Sequence, residues 1–275
     1  MSTLEHRPPL IGIFDSGVGG LSVVKALQGR CPNAPLLYVA DCGHAPYGER
    51  DIAHVIDRSL RITNFLLAQG AALIVVACNT ATAAAIEAMR HQHPDLPLVG
   101  VEPGVKPAAQ RSLSKRVGVM ATTSTLQSPR FQSLVQRFAN DCFVLPVACA
   151  GLAAAIEQGD ANHSTVSHLL DQYCGALKDA AVDTVVLGCT HYPFVADAIA
   201  ERLGPGVTLL DTADAVAQQA ARLYEGLGQP DPSPESSRLL KSRRMTMMST
   251  GEVEVLERIA RERLGWDQQA LRIDI

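Results

Sequence analysis

Aromatic residues make up only 4% of the 275-residue chain and charged residues only 19%, against an average near 25% charged. The core must therefore be built mainly from Ala, Val, Ile and Leu. A basic surplus is also missing: 24 Lys and Arg against 28 Asp and Glu give 24 − 28 = −4, which argues against a phosphate-tracking nucleic-acid surface. No apolar run reaches the eighteen or so residues of a membrane span; the longest, Ala71–Cys78, is far shorter. The early run Leu10–Phe14 ends at Asp15 and is too short for a secretory signal. The seven cysteines are odd in number and form no Cys-x-x-Cys pair, which excludes an obvious disulfide framework or zinc ribbon. The expectation is a cytoplasmic, soluble protein with reduced thiols and neither membrane nor nucleic acid as partner.

What is present is a regular alternation of short apolar runs and longer helical patterns, the signal for βα units and a parallel sheet. At roughly 150 residues per domain the length suggests two domains. The pattern predicts strands at Leu10–Phe14, Leu36–Ala40, Leu73–Ala77, Leu98–Val101, Val117–Ala121, Phe143–Val147, Thr184–Gly188 and Val207–Leu210. It predicts helices at Leu21–Gln28, Ile52–Ala68, Thr82–Arg90, Leu126–Phe138, Leu152–Gln158, Ser164–Ala180, Phe194–Arg202 and Ala213–Glu225. Residues 228–237, with Pro230, Pro232 and Pro234, read as a surface connection. Arg238–Met248 then reads as a strand or hairpin with Lys241, Arg243 and Arg244 on a solvated face, followed by a helix Glu252–Leu264 capped by Ser249 or Thr250.

An internal repeat organises this pattern. Ile11-Gly-Ile-Phe14 matches Val117-Gly-Val-Met120 (117 − 11 = 106), and Val75–Thr80 matches Val186–His191 (186 − 75 = 111). The second match repeats a cysteine, Cys78 and Cys189, at the point where each strand ends. The expected fold is therefore α/β, with two similar parallel-sheet domains facing each other across a cleft.

Ligands of such sheets bind beyond the carboxyl ends of the strands, where Asp15-Ser16-Gly17, the loop Asp41–Gly48, Cys78-Asn79-Thr80 and Cys189-Thr190-His191 all fall. A thiol leaving a strand at a helix N-terminus meets free amides and the helix dipole, so both thiols are expected below their ordinary pKa. Asn79, Thr80 and Thr190 are suited to donate to a thiolate or a carboxylate. Cys31, Cys42, Cys142, Cys149 and Cys174 lack this setting and read as small buried residues. Two thiols from facing halves suit proton removal from one face of a ligand and delivery to the other, with Asp15 tuning Cys78 and His191 tuning Cys189. No further ligand cluster joins Cys189 and His191, so no metal is expected.

Rival readings fit less well. The turn Asp15–Gly20 is glycine-rich, but a dinucleotide fingerprint from Gly17 needs glycine at Ser22, although Asp41 lies near the place of a ribose-binding acid. Lys106 reads as part of a joint between the halves, and nothing points to pyridoxal phosphate. A passive two-lobed receptor has no use for duplicated thiols.

The residues Gly12–Gly20, Ala45-Pro-Tyr47-Gly48-Glu-Arg50, Ala77-Cys78-Asn-Thr-Ala-Thr82 and Gly188-Cys189-Thr-His-Tyr-Pro-Phe194 closely resemble the glutamate racemases of the cofactor-independent aspartate/glutamate racemase family. The resemblance spans nearly the whole chain. It implies that Cys78 and Cys189 are the catalytic acid/base pair, assisted by Asp15 and His191, with Glu157 near the second thiol. It also implies substrate contacts from Asp15, Ser16, Tyr47, Gly48, Asn79, Thr80, Thr122, Thr125, Thr190 and His191. Ser124 departs from the glycine frequent in the family. The resemblance further implies a discontinuous first domain, 1–98 with 212–275, against 99–211. The activity so implied is interconversion of L- and D-glutamate without a cofactor, supplying peptidoglycan synthesis. Implied partners are glutamate, a second copy of the chain and a cell-wall precursor as activator. Alternatives are relatives acting on aspartate, hydantoins or malonates, and a gyrase-inhibiting side activity.

Overall fold

A computed structural model describes residues 8–159, 164–227 and 244–275. Strands β1 (Leu10–Asp15), β2 (Leu36–Ala40), β3 (Ala71–Val76), β4 (Leu98–Gly100), β5 (Arg116–Ala121), β6 (Phe143–Ala148), β7 (Thr184–Gly188), β8 (Thr208–Leu210), β9 (Met245–Ser249) and β10 (Ala270–Arg272) form two sheets. Helices α1 (Leu21–Arg30), α2 (Ile52–Ala68), α3 (Asn79–Gln92), α4 (Val105–Arg111), α5 (Thr123–Gln127), α6 (Pro129–Phe138), α7 (Leu152–Glu157), α8 (Ser164–Asp179), α9 (Ala196–Leu203), α10 (Ala213–Glu225) and α11 (Val253–Leu264) pack around them. The first sheet runs β10-β9-β2-β1-β3-β4 and the second β6-β5-β7-β8, every pairing parallel. The α/β class with two parallel sheets is the one expected.

Both sheets follow the rule that parallel strands are covered on both faces. β1, β2, β7 and β9 are buried along their whole length, which is why the first three read as apolar runs. The first sheet separates two clusters, one including Ile11, Ile13, Val75 and Leu256, the other including Phe14, Val39, Ile74 and Met89. The second sheet likewise lies between a cluster around Leu170 and Leu187 and another around Val119 and Val186. β6 is an edge strand, so it tolerates Pro146 and leaves Phe143 half exposed beneath the Arg116 guanidinium.

The expected strands appear within two residues of their ends. Several finer expectations are corrected. The single helix read at Leu126–Phe138 is two, because Ser128 takes an extended backbone before Pro129 and caps α6 through the Phe131 amide. Lys106 lies within the first turn of α4, with its ammonium over the Phe138 ring, and residues 101–104 just before it carry the chain from β4 of the first sheet to α4. The expected strand or hairpin before residue 249 is the strand β9, and β10 was not foreseen. Neither Ser249 nor Thr250 caps α11, whose N-cap is Glu252 without a side-chain bond. The proline-rich connection, Lys241 and Arg243 lie outside the described residues.

One buried knot fixes the loop after β2. Asp41 is fully buried and receives both Nε and Nη2 of Arg58 from α2, at 3.0 and 2.8 Å. The hydroxyls of Tyr47 and Thr250 donate to the same carboxylate at 2.5 and 2.7 Å. Burial alone would raise the Asp41 pKa, but Arg58, Tyr47 and Thr250 hold it below the ordinary value. With every oxygen engaged, Asp41 is unavailable as the ribose-binding acid of the nucleotide reading. Arg58→Ala strands this carboxylate and should cost about 3–5 kcal/mol of stability. Urea unfolding checks this, and a loss below about 1 kcal/mol would show that the pair is not buried in solution.

Candidate active site

The carboxyl ends of β1, β3 and β7 deliver their polar clusters to one small cavity. It is lined by Ser16, Tyr47, Gly48, Cys78, Asn79 and Thr80 from the first sheet's side and by Thr122, Glu157, Cys189, Thr190 and His191 from the second's. Its free volume is about 20 Å³, on the scale of a single water molecule. Asp15 lies directly behind the wall and is fully buried. The sequence repeat thus brings its two cysteines to one place.

Cys78 is the N-cap of α3, which begins at Asn79, three residues before the start expected at Thr82. Its sulfur accepts from the Ala81 amide at 3.4 Å and approaches the Ser16 hydroxyl at 3.7 Å. The expectation that this setting lowers its pKa is reversed. Burial pushes the Cys78 thiol well up and the nearby Asp15 carboxylate pushes it further, outweighing the amide and the hydroxyl. Asp15 is itself raised by burial, although His191, Thr190 and Cys78 pull the other way. Thr190 Oγ1, from the opposite half, donates to Asp15 Oδ2 at 2.8 Å.

Cys189 has different surroundings. The chain passes from it through a 3₁₀ turn, Tyr192–Val195, before α9, so Cys189 does not stand at the mouth of an α-helix as Cys78 does. Its sulfur lies 3.6 Å from His191 Nδ1, and His191 Nε2 lies 2.8 Å from Glu157 Oε1. Burial disfavours a charged His191, but its bonds to Cys189 and Glu157 prevail and raise its pKa well above the ordinary value. Glu157 is opposed by burial too and is nevertheless lowered by His191 and by the Val18 amide, which donates at 2.9 Å.

The glycine-rich turn is shaped for this meeting of halves. A Cβ on Gly17 would stand 1.7 Å from Glu157 Oε1, and one on Gly19 would stand 2.5 Å from His191 Nδ1 and from Thr190 Oγ1. A Cβ on Gly48 would likewise meet Thr122 at 2.9 Å. The glycines admit side chains of the chain's own second half, not a pyrophosphate.

On the remaining walls, Thr80 Oγ1 bonds Thr122 Oγ1 at 2.9 Å across the cleft, and Thr122 bonds Thr125 at 2.9 Å. Ser124 Oγ donates to the Gly48 carbonyl at 2.9 Å, so the residue that departs from the family pattern is a further tie between the halves. The side-chain carbonyl of Asn79 is buried on the cavity wall with no partner among the described residues. All the residues singled out from sequence gather at this cavity or immediately behind it. Sequence reasoning missed the Val18 amide, Ser124 and the Asp41–Arg58–Thr250 support of Tyr47. Of these only Asp41 carries a signal in the sequence, where its spacing suggests a ribose-binding acid instead. Among the described residues no group of acidic, His and Cys side chains is suited to hold a metal, and no helix is long and apolar enough to cross a membrane.

A thiol beside a carboxylate and a thiol beside a carboxylate-backed imidazole face one cavity, an arrangement chemically suited to handling protons at two points. The Asp/Glu/Hydantoin racemase family model matches residues 21–220. The chain is 51% identical over 218 residues to a glutamate racemase of Pseudomonas syringae, covering 79% of each. It is 43% identical over 275 residues to one of Ralstonia pickettii, covering 100% of this chain and 94% of the other. The fold matches Escherichia coli glutamate racemase in complex with L-glutamate and the activator UDP-MurNAc-Ala, with a TM-score of 0.81, 31% identity and 96% and 97% coverage. The chain belongs to the Asp/Glu/hydantoin racemase family and is an isomerase.

The Glu157–His191 pair makes a prediction with a definite sign. The contribution of Glu157 to stability is full above its ordinary value of 4.5 and is lost as pH falls through its lowered folded value. That of His191 is full below its ordinary 6.5 and is lost as pH rises through its raised folded value. Both are complete only between 4.5 and 6.5. Urea unfolding should therefore show a larger deficit for Glu157→Gln in that window than in alkali, with Asp15 and Cys189 still facing the imidazole in both. Equal deficits would exclude the charged pair.

Proposed function

We propose that the chain interconverts L- and D-glutamate by a two-cysteine acid/base mechanism needing no cofactor. The observation that carries this is the arrival of Cys78 and Cys189 at one cavity from opposite halves, each with its own proton-handling partner. One cysteine thiolate takes the α-proton, forming S–H and leaving the electron pair on Cα. The opposite thiol gives its proton to the other face of Cα and becomes the thiolate. For Cys78 the raised Asp15 carboxyl is the group placed to accept and return the thiol proton. For Cys189, the His191 imidazole, backed at Nε2 by Glu157, is the group placed to exchange a proton with the sulfur through Nδ1.

The weak acidity of the α-proton is met by stabilising the developing charge. Ser16, Thr80, Thr122 and Thr190 supply hydroxyls, and burial strengthens each of these interactions. The unpaired Asn79 carbonyl suits the substrate ammonium, because a buried acceptor left alone costs about 1–3 kcal/mol. The cavity is too small for an amino acid, so the halves separate for entry and close for reaction. We assign 1–98 with 212–275 to one half and 99–211 to the other. Support comes from β9 and β10 joining the first sheet, and from α10 packing on α1 with Asp214 bonded to Arg30.

By kinship the product supplies peptidoglycan synthesis in the cytoplasm. The relatives' glutamate, and the activator named for the Escherichia coli enzyme, are the small molecules proposed to bind. A second copy of the chain is the proposed macromolecular partner.

Polarimetric assay with each enantiomer of glutamate and of aspartate, without added cofactor, tests the reading. Glutamate should turn over, and in D₂O the product should carry deuterium at Cα. Cys78→Ser and Cys189→Ser should each abolish racemisation; full activity in either would overturn the two-thiol mechanism. Gly17→Ala pushes against the movable end of Glu157. It should leave stability within about 1 kcal/mol yet lower kcat by about 10²-fold, as followed by circular dichroism.

A further inference from the structure

Glu157 is gripped by the first half at two points. Its side chain takes the Val18 amide, and its backbone carbonyl takes Nη2 of Arg258, on α11, at 2.8 Å. Glu157 is the last residue of the six-residue helix α7, and Arg258 brings a permanent positive charge to that helix's carboxyl end, where the free carbonyls and the dipole favour it. The guanidinium lies against the backbone of Gly159, where a Cβ would stand 1.4 Å from Nη1, and Gly159 also has a φ of +99°. Two independent constraints thus require glycine where the arginine passes. Glu262, one turn along α11, lies 3.7 Å from the same guanidinium and steadies it from the solvent side.

We propose that Arg258 is a positioning residue for the Cys189 arm: it anchors the end of α7 to the opposite half, so that closure of the cleft sets Glu157 against His191. The inference rests on the reading of Glu157 as the working partner of His191. It assigns the C-terminal helix, which contributes no residue to the cavity, a part in proton transfer. The chain of contacts is continuous: Arg258 to the Glu157 carbonyl, Glu157 Oε1 to His191 Nε2, and His191 Nδ1 to the Cys189 sulfur.

The experiment compares kcat and KM for glutamate in Arg258→Ala, Arg258→Lys, Glu157→Gln and the double variant Glu157→Gln/Arg258→Ala, with thermal unfolding recorded for each. Arg258→Ala should lower kcat roughly 10- to 100-fold with KM changed less than about threefold and unfolding near that of the parent. Lysine, still a cation with a donor, should recover part of the loss. In the Glu157→Gln background removal of Arg258 should cost at most about twofold more, because Arg258 acts by placing the Glu157 carboxylate, which that variant lacks. Full activity in Arg258→Ala beside a loss in Glu157→Gln overturns this inference and leaves the role of Glu157 standing. A full additional loss in the double variant overturns it as well, since Arg258 would then act elsewhere. Full activity in Glu157→Gln instead overturns the underlying reading of Glu157, and the inference with it.

Discussion

Glu157 crosses from the second half into the glycine-rich turn of the first, and the geometry of the site depends on that crossing. Its carboxylate occupies space a Cβ on Gly17 would need, and there it meets both the Val18 amide and the His191 ring. Backbone amides at the start of a helix bind anions readily, and the turn before α1 does so here with a carboxylate of its own chain. The same physics underlies a dinucleotide site, which explains why the turn invites that reading. What decides between the two is the second half, whose side chains fill the space a phosphate would require. From this contact the positions of His191, Cys189 and Thr190 follow, and Thr190 in turn fixes Asp15 behind Cys78.

The two thiols are alike in the repeat but unlike in their electrostatics. Cys78 has amide donors at a helix start, which stabilise a thiolate by at most about 1–2 kcal/mol. Burial and the Asp15 charge oppose that effect and prevail, raising the Cys78 pKa. Cys189 instead faces an imidazole whose far nitrogen is held by a carboxylate. The proposed racemisation accommodates this asymmetry. The two enantiomers have equal free energy in solution, so unequal bases alter kcat and KM separately for each direction while kcat/KM stays equal.

The fold was legible because parallel strands buried on both faces leave unbroken apolar runs, as at Leu36–Ala40 and Thr184–Gly188. β10 escaped notice because Ala270–Arg272 is a short edge strand with exposed residues, and so leaves neither an apolar run nor an alternation. The α5–α6 break was hidden by a continuous helical pattern, although Ser128-Pro129 is a recognisable stop and start. At the site, the repeated cysteines and their flanking polar residues were legible from chemistry and spacing alone. Glu157 was not: on periodicity it belongs to the solvated face of a helix, and only the family resemblance pointed to it. Arg258 and Ser124 left no local signal, because each works through contact with a residue of the other half, 101 and 76 positions away respectively. The helix-dipole argument for Cys78 failed for a related reason, since local sequence does not report how deeply two halves bury a group between them.

The proposed closure has to be reversible, and the contacts across the cleft are suited to that. Thr80 with Thr122, Ser124 with Gly48 and Thr190 with Asp15 are polar links that water can replace when the halves part. Each contributes a net of only about 0.5–1.5 kcal/mol. An apolar seam of equal area would hold the halves together too firmly for a ligand to enter. Charged links behave differently, because their strength grows as water leaves: the Glu157–His191 and Arg258–Glu157 contacts are weak in an open, wet cleft and strong in a closed, dry one. In the proposed racemisation the site gains its proton-transfer geometry as it excludes water, which is also when a carbanion survives long enough to be reprotonated on its other face.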